Sequence, residues 1–350
     1  MTKISDLQVD LKKSHGEQFV TSADEVGDIE RLPTGIYPFD YATGGGFPRG
    51  RTSIIWGAES SGKTNLALKA IAMNQRLEPD KVNVFIDLEH SFDPKWATMI
   101  GVNCDPKKLA LIQPHYAEQA INIIQGIVSA EDVGCVVLDS IGAMITINED
   151  ESDAAKMQVG GAALVITKMV KKLIVGMSKA TSFGRYPTVL IINQMRNKIG
   201  VMFGSPDDMP GGKALKHHSA LTVKVRGNDI IEPSINKDRA SYKKVTGTVF
   251  KTKVRTLTKE FVFDFPITNQ GGLKVGFIDD WNTISTKLKD LGWLYKEGKF
   301  VTCFDQQYKT YKAVREELYG NPKLLDAVRD KIMEAKMEEL YEVEAEDYEE

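Results

Sequence analysis

A glycine-rich octapeptide between an apolar run and a helical stretch is the feature that most constrains the fold of this chain. It runs Gly57-Ala-Glu-Ser-Ser-Gly-Lys-Thr64, follows the apolar run Thr52–Trp56 and leads into a helical pattern over about 63–76. In a strand–loop–helix context, the glycines let backbone N–H groups close around phosphate oxygens at the positive end of the helix. This context favours a nucleoside-triphosphate site over a simple Gly-rich turn.

Individual side chains of the octapeptide have predicted roles. Lys63 can reach the β- and γ-phosphates, and Thr64 can place its hydroxyl on Mg²⁺. We expect the remaining nucleotide contacts of this segment from Gly57, Glu59, Ser60, Ser61 and Gly62.

Two carboxylates follow apolar runs and are candidates for the rest of the site. Asp139 ends the run Cys135–Asp139 and is predicted to lie close to the Mg²⁺. Glu89 follows the run that ends at Asp87. A carboxylate at the carboxyl end of a strand lies on the ligand side of an open α/β sheet, so Glu89 is predicted to polarise a water for attack on the γ-phosphate. The alternative is an ordinary carboxylate in a surface loop.

Short apolar runs alternate with helical patterns over the first two thirds of the chain. The runs show almost no alternation, which is typical of strands covered on both faces, and strands spaced by helices form parallel sheets. We therefore predict an α/β fold with a mostly parallel, twisted sheet flanked by helices. Its predicted strands are Thr52–Trp56, Val82–Asp87, Leu109–Gln113, Cys135–Asp139 and Thr188–Asn193, with helices near 63–76, 94–100, 116–129 and 157–180. Three later runs, Leu221–Arg226, Thr248–Arg255 and Phe261–Phe265, have no helices between them and are predicted to extend the sheet in antiparallel fashion.

The pattern changes at both ends of the chain. We predict an N-terminal helical arm over 1–32, an α/β core over 33–268, a small C-terminal α+β domain over 269–336 and an acidic tail over 337–350. The tail carries eight acidic residues and no basic one, so the net charge of −3 becomes +5 for residues 1–336. Such a tail is either a disordered solubilising end or a competitor of a polyanion for basic surface.

Composition excludes several classes of protein. Hydrophobic residues make up 42% and charged residues 27%, near the globular average, so disordered and low-complexity classes are excluded. No apolar run approaches the length of a membrane span, and the first residues do not resemble a secretory signal. The three widely spaced cysteines favour a reducing, cytoplasmic setting.

A loop-like segment over 194–213 combines basic residues, Met and Phe side chains and four glycines without helical or strand period. Exposed apolar side chains in a basic loop suit contacts with unstacked bases and phosphates, although a long active-site lid fits equally well. Upstream, Lys168, Lys171 and Lys172 lie on one face of a helix, by default a solvated one.

These motifs together resemble those of the bacterial RecA recombinase family. The resemblance runs from about residue 30 to 265, continues more weakly beyond, and is most specific in Ile192–Gly204. It implies an ATP- and Mg²⁺-dependent recombinase that forms a helical homopolymer on single-stranded DNA and exchanges strands with homologous duplex DNA. Mediator, single-strand-binding and repressor proteins are further candidate partners. The other segments that carry the resemblance are Thr34-Gly35, Asp40, Gly44–Gly50, Gly57–Thr64, Phe85–Pro94 and Leu138–Ser140.

The resemblance also implies residue roles. Glu89 matches the catalytic glutamate, Gln194 the γ-phosphate sensor, and Lys251 and Lys253 the lysines that reach the neighbouring subunit's ATP. Asp93 and Trp96 match the adenine contacts, and Asp139-Ser140 falls in the nucleotide site. DNA-binding loops are implied over about 150–160 and 195–213, with DNA contacts from Lys171, Arg196, Lys198, Ile199, Gly200, Met202, Gly211, Gly212, Lys213 and Arg226.

Several residues depart from the family pattern. Lys213 replaces a usual Asn, and His217-His218 replace an aromatic pair. Thr246 and Thr248 stand where basic residues usually hold the second DNA strand, a loss for which Lys243 and Lys244 are candidate compensation. Two alternative functions stay open at this point: a ring-forming DNA motor of the helicase type, and an ATP-switched coat or loader protein for single strands.

Overall fold

The computed structural model describes residues 3–16, 28–147, 161–197, 207–209 and 212–349. The helices are α1 (Ile4–His15), α2 (Tyr37–Ala42), α3 (Lys63–Leu77), α4 (Pro94–Ile100), α5 (Ala117–Ser129), α6 (Gly161–Ser182), α7 (Gly212–His218), α8 (Trp281–Asp290), α9 (Tyr311–Gly320) and α10 (Pro322–Glu349). The strands are β1 (Arg31–Leu32), β2 (Phe47–Pro48), β3 (Thr52–Gly57), β4 (Val82–Asp87), β5 (Leu109–Ile112), β6 (Val133–Asp139), β7 (Thr188–Gln194), β8 (Arg196–Asn197), β9 (Asp207–Asp208), β10 (Leu221–Ile230), β11 (Tyr242–Thr252), β12 (Glu260–Pro266), β13 (Leu294–Glu297), β14 (Phe300–Cys303) and β15 (Gln306–Tyr308). Within these ranges, no helix combines the length and the apolar character needed to cross a bilayer.

An eight-stranded sheet forms the centre of the molecule, in the order β12-β11-β10-β3-β7-β6-β4-β5. The six strands from β10 to β5 run parallel, and every residue of β3 and β6 is buried. Successive residues of β3 face opposite sides: Ile55 packs in one core with α3, and Ile54 packs in the other with α5 and α6. The prediction of a mostly parallel sheet flanked by helices is confirmed.

The predicted direction of β10 was wrong. β10 pairs in parallel with β3, with Val223 opposite Ile55, and only β11 and β12 run antiparallel to their neighbours. The reason is the short helix α7, which lies between β7 and β10 and provides the crossover that parallel strands require. β11 also begins at Tyr242, well before the predicted Thr248, so β10 and β11 form a long hairpin beside the glycine-rich loop.

The C-terminal part has a core of its own. The antiparallel sheet β13-β14-β15 packs with α8, α9 and α10 around Ile284, Val301 and Val328. Tyr37 and Tyr41 of α2 are buried in the same core, so it is continuous with the segment that leads into the central sheet. The acidic residues from Glu338 to Glu349 lie on the continuation of α10, which ends at Glu349.

A buried ion pair joins this C-terminal core to α2, and its removal should be costly. The Arg329 guanidinium and the Tyr319 hydroxyl both donate to the Asp280 carboxylate, which is 1% exposed, and Tyr37 Oη donates to Arg329 O at 3.2 Å. Asp280→Ala leaves the guanidinium with only the exposed Asp326 carboxylate at 3.2 Å, so we expect a loss of about 3–5 kcal/mol in the free energy of unfolding, measured by urea denaturation. Asp290→Ala removes a surface pair with Lys287 and should cost at most about 1 kcal/mol. Equal losses for the two variants would contradict this prediction.

Candidate nucleoside-triphosphate site

The glycine-rich loop connects the last residue of β3, Gly57, to the first residue of α3, Lys63. Its backbone turns through left-handed φ angles of 55° at Ser60 and 92° at Gly62. A Cβ at Gly57 would lie 2.1 Å from Val225 O on β10, so only glycine fits there. The loop therefore adopts the tight strand-to-helix turn that a phosphate cradle requires.

Two polar groups of this loop fit a phosphate ligand. Lys63 is buried, which lowers its pKa, and its Nζ donates to Ala58 O at 2.6 Å and to Gly57 O at 3.2 Å. The Ser61 hydroxyl is buried and has no hydrogen-bond partner among the described residues. Because a buried hydroxyl without a partner is costly, a ligand oxygen that satisfies it would stabilise the loop. These residues fit an anionic, oxygen-rich ligand.

Thr64 and Asp139 are brought together as predicted. Thr64 Oγ1 donates to Asp139 Oδ2 at 2.7 Å, across the gap between the start of α3 and the end of β6. Burial raises the pKa of Asp139 to about 6, and the hydrogen bond from Thr64 opposes that shift. No cluster of three His, Cys, Asp or Glu side chains occurs in the described ranges. A cation here would take most ligands from phosphate and water, as Mg²⁺ commonly does.

Glu89 lies at the centre of a hydrogen-bonded group formed by three neighbouring strands. Its Oε1 accepts from Gln194 Nε2 at 2.7 Å and from the Ser140 hydroxyl. Glu89 follows β4, Ser140 follows β6 and Gln194 ends β7, so the three meet at the carboxyl edge of the sheet. Both bonds go to one oxygen, and Oε2 accepts no hydrogen bond from the described residues. Glu89 is exposed, and the arrangement leaves one of its carboxylate oxygens to bind a water.

Asp93 and Trp96 lie at the start of α4. Asp93 Oδ1 accepts from the backbone N–H groups of Lys95 and Trp96 at 2.8 and 3.2 Å, which caps the helix. The Trp96 indole Nε1 donates to Asn65 Oδ1 at 2.9 Å, so the ring is fixed to the first turn of α3 beside Thr64. An aromatic face held there can stack with a nucleobase.

Sequence reasoning missed Asn65 and Asp87, whose hydrogen bonds hold other residues of this site in place. Asp87 is fully buried at the end of β4 and accepts from the N–H groups of Ser91 and Phe92 and from Gln113 Nε2, at 3.0–3.2 Å. These bonds fold the segment that carries Glu89 and Asp93. An acid at the end of an apolar run was the available signal for Asp87, whereas Asn65 had no signal besides its place after Thr64.

The start of the predicted second DNA loop adjoins the glycine-rich loop. Gly57 pairs with Gln194 in the sheet, and Met195 N donates to Gly57 O at 2.9 Å. Beyond it, β8 and β9 pair as an antiparallel stem, with Arg196 opposite Asp208. Lys198, Ile199, Gly200, Met202 and Gly211, with the first loop over 150–160, lie outside the described residues. The backbone of Gly212 and Lys213 begins α7.

The other predicted DNA contacts lie on regular elements. Lys171 is exposed on α6, together with Lys168, whereas Lys172 turns toward α5 and donates to Asn122 Oδ1 at 3.0 Å. Arg226 is exposed on β10, opposite Thr246 of β11.

Lys251 and Lys253 contact the C-terminal end of α7 within the same chain. Lys251 Nζ donates to the carbonyls of Lys216, His217 and Ser219, and Lys253 Nζ donates to His217 O. Cations are favourable at the carbonyl end of a helix because they offset its dipole and satisfy its free acceptors. Neither lysine makes a contact with Lys63 or Glu89 of its own chain within the described ranges. Their role in a neighbouring site stays a prediction.

His218 lies between these lysines and β3, which predicts a pH dependence of stability. Burial and the two lysines lower the pKa of His218, whose Nε2 forms a hydrogen bond with Thr52 Oγ1 at 3.1 Å. Below about pH 6.5, the unfolded chain therefore binds a proton at this residue that the folded chain resists. The free energy of unfolding should therefore fall with decreasing pH over this range. Denaturation curves between pH 5.5 and 7.5 should show a smaller slope for His218→Phe, and identical slopes would contradict the assignment.

The part of this chain that is similar to known proteins includes both the central sheet and the candidate site. A family model described as the RecA N-terminal domain matches residues 3–272. Among similar curated proteins, each named Protein RecA, that of Aquifex aeolicus is 36% identical over 310 residues, which is 88% of this chain and 84% of the relative. That of Chloroflexus aggregans is 36% identical over 326 residues, 92% and 87% of the two chains. That of Mesoplasma florum is 34% identical over 328 residues, 93% of each.

Proposed function

This chain belongs to the RecA family and is accordingly a P-loop, DNA-dependent ATPase of recombination and repair, and from that premise we propose how its own residues do this work. We propose that it binds ATP with Mg²⁺, assembles as a helical homopolymer on single-stranded DNA, and pairs that strand with homologous duplex DNA in the cytoplasm. The observation that carries the proposal is the group of Glu89, Ser140 and Gln194 at the edge of the sheet, next to the glycine-rich loop.

Each part of the site has a task in ATP hydrolysis. Gly57–Gly62 and Lys63 hold the β- and γ-phosphates, and Trp96 with Asp93 holds the adenine. Thr64 and Asp139 bind Mg²⁺, which neutralises charge on the phosphates. Glu89 orients a water through Oε2 and takes its proton, while Ser140 and Gln194 fix the carboxylate through Oε1. Gln194 also ends β7, so it links the γ-phosphate to the DNA loop that follows.

The two lysines explain why nucleotide and assembly are coupled. In one chain, Lys251 and Lys253 are bound to α7 carbonyls, far weaker partners than a triphosphate. In the assembled polymer, they reach the ATP of the adjacent subunit and neutralise its charge. ATP binds the assembled state preferentially and therefore stabilises it, and hydrolysis weakens it.

Strand exchange makes and breaks equal numbers of base pairs, so its net pairing energy is nearly balanced. The protein therefore needs to hold the strand by its backbone and leave the bases readable. Lys171, Arg196, Lys198 and Lys213 supply the charge for backbone contacts, and the apolar side chains of 199–203 suit contacts with bases. Residues 1–32 serve as the polymerisation arm, and the C-terminal part beyond residue 268 is an accessory domain with an acidic end.

Membership of the RecA family favours a recombinase over a ring-forming motor or a loader protein. The test is the ATPase rate of the full chain with and without single-stranded DNA, together with negative-stain images. We expect DNA-dependent turnover, and helical polymers when DNA and a non-hydrolysable ATP analogue are both present. Equal turnover with and without DNA, closed rings, or separate protomers would contradict the proposal. A D-loop assay with homologous and heterologous duplexes should give product only with the homologous one.

A further inference from the structure

Lys243 forms an ion pair next to the glycine-rich loop. It lies on β11 directly opposite Asp229 of β10, and its Nζ donates to Asp229 Oδ1. The two side chains differ in exposure: the Lys243 side chain is 13% exposed and the Asp229 side chain 60%. The cation is thus the enclosed member of the pair, and its carboxylate partner faces solvent.

The stem of Lys243 lies against the loop itself. A Cβ at Gly227 would be 2.9 Å from both Lys243 Cδ and Ser61 O, so the three groups meet at one point. A Cβ at Gly62 would lie 4.0 Å from the same Cδ. Gly227 therefore allows β10 to approach the loop closely, and the lysine stem fills the remaining space beside the start of α3.

This position is electrostatically unfavourable for a cation without an anion nearby. The N-terminus of α3 carries the positive end of the helix dipole, and Lys63 adds a full charge. Asp229 offsets that cost in the chain as it stands, but it is largely solvated and therefore a weak partner. A phosphate bound in the loop would be a stronger partner for the Lys243 ammonium group, because the phosphate is anchored in a partly enclosed site.

We propose that Lys243 is a second cation of the nucleotide site, supplied by the same subunit, and that it binds the polyphosphate of a nucleoside di- or triphosphate. Asp229 holds the ammonium group beside the loop until the phosphate arrives, and rotation about the last bonds of the lysine side chain transfers it. This inference rests on the proposed nucleotide site. It also replaces the sequence-based idea that Lys243 compensates at the duplex site, since its stem packs against the loop and only Lys244 of the two is exposed.

The test measures ADP and adenosine affinities of the full-length protein by calorimetry, without DNA and with MgCl₂. Lys243→Met keeps the apolar stem and removes the charge, so ADP affinity should fall about tenfold. Adenosine affinity should stay unchanged, because adenosine has no phosphate. Asp229→Asn releases the lysine from its competitor and should strengthen ADP binding severalfold. Lys244→Met, one residue away and exposed, is the matched control and should bind ADP as the unaltered protein does.

Two results would overturn the inference. One is unchanged ADP affinity in Lys243→Met; the other is equal weakening in Lys243→Met and Asp229→Asn, which would make the pair a structural support of the loop. Thermal midpoints show whether each variant is folded. If Lys243→Met fails to fold, Asp229→Asn decides alone: stronger ADP binding supports the inference, and unchanged or weaker binding contradicts it. Failure of the proposed function looks different: the unaltered protein would not bind ADP, or Lys63→Met would bind it equally well.

Discussion

Glu89→Gln should lower ATP turnover on single-stranded DNA by at least about 100-fold, the usual scale for loss of a general base. The amide keeps the size of the side chain and its bonds to Ser140 and Gln194, but it cannot take a proton from water. Nucleotide binding does not need that proton transfer, so polymers should form on DNA and persist longer than those of the unaltered protein. Steady-state phosphate release and electron microscopy measure the two effects.

Glu131→Gln makes the same chemical change at an exposed position after α5 and should leave turnover unchanged. Retention of more than a tenth of the turnover in Glu89→Gln would remove Glu89 from the role of base. Loss of polymers in that variant would instead show that the carboxylate supports assembly.

The double variant Lys251→Met and Lys253→Met should lose DNA-dependent ATP turnover about 100-fold or more, since both positive charges that the neighbouring subunit supplies to the transferring phosphate disappear. Unlike Glu89→Gln, it should also fail to form stable polymers, because the nucleotide no longer links two subunits. The affinity of the isolated subunit for ADP should change little, since neither lysine contacts its own glycine-rich loop.

Mixing the Glu89→Gln variant with the double lysine variant distinguishes an active site formed by two subunits from one formed within a single subunit. A Glu89→Gln subunit still supplies lysines, and a lysine variant still supplies Glu89. In a head-to-tail polymer mixed at equal amounts, about a quarter of the interfaces therefore combine intact halves. We expect mixed samples to recover a corresponding part of the turnover. No recovery from mixed polymers would place the lysines in the site of their own chain or in support of α7. Lys259→Met, an exposed neighbour, is the control for loss of charge on this surface.

Much of the sheet could be predicted because its strands are apolar on both faces. α4 and β4 both have the predicted bounds. Pro94 marks the start of α4, and Asp87 marks the end of β4. The direction of β10 was predicted wrongly because a run of apolar residues does not reveal whether the strand runs parallel or antiparallel to its partner. Direction depends on the crossover, and α7 is too short to give a helical pattern of its own.

The candidate site was predictable where a residue type sits at a fixed place after a strand. Glu89, Asp139 and Thr64 belong to that group, and the structure brings them to one edge of the sheet. Lys243 was not predictable, because its position depends on the register of the β10–β11 hairpin and on the absence of a side chain at Gly227. The contacts of Lys251 with α7 likewise arise from tertiary packing, which spacing along the chain does not encode.

The bond between Met195 N and Gly57 O has a kinetic consequence. The first amide beyond β7 is fastened to the first residue of the phosphate-binding turn, so an outward step of the following segment must either break that bond or displace Gly57. Departure of inorganic phosphate and movement of the chain just beyond β7 are therefore expected to be coupled, because each shifts one end of the same hydrogen bond.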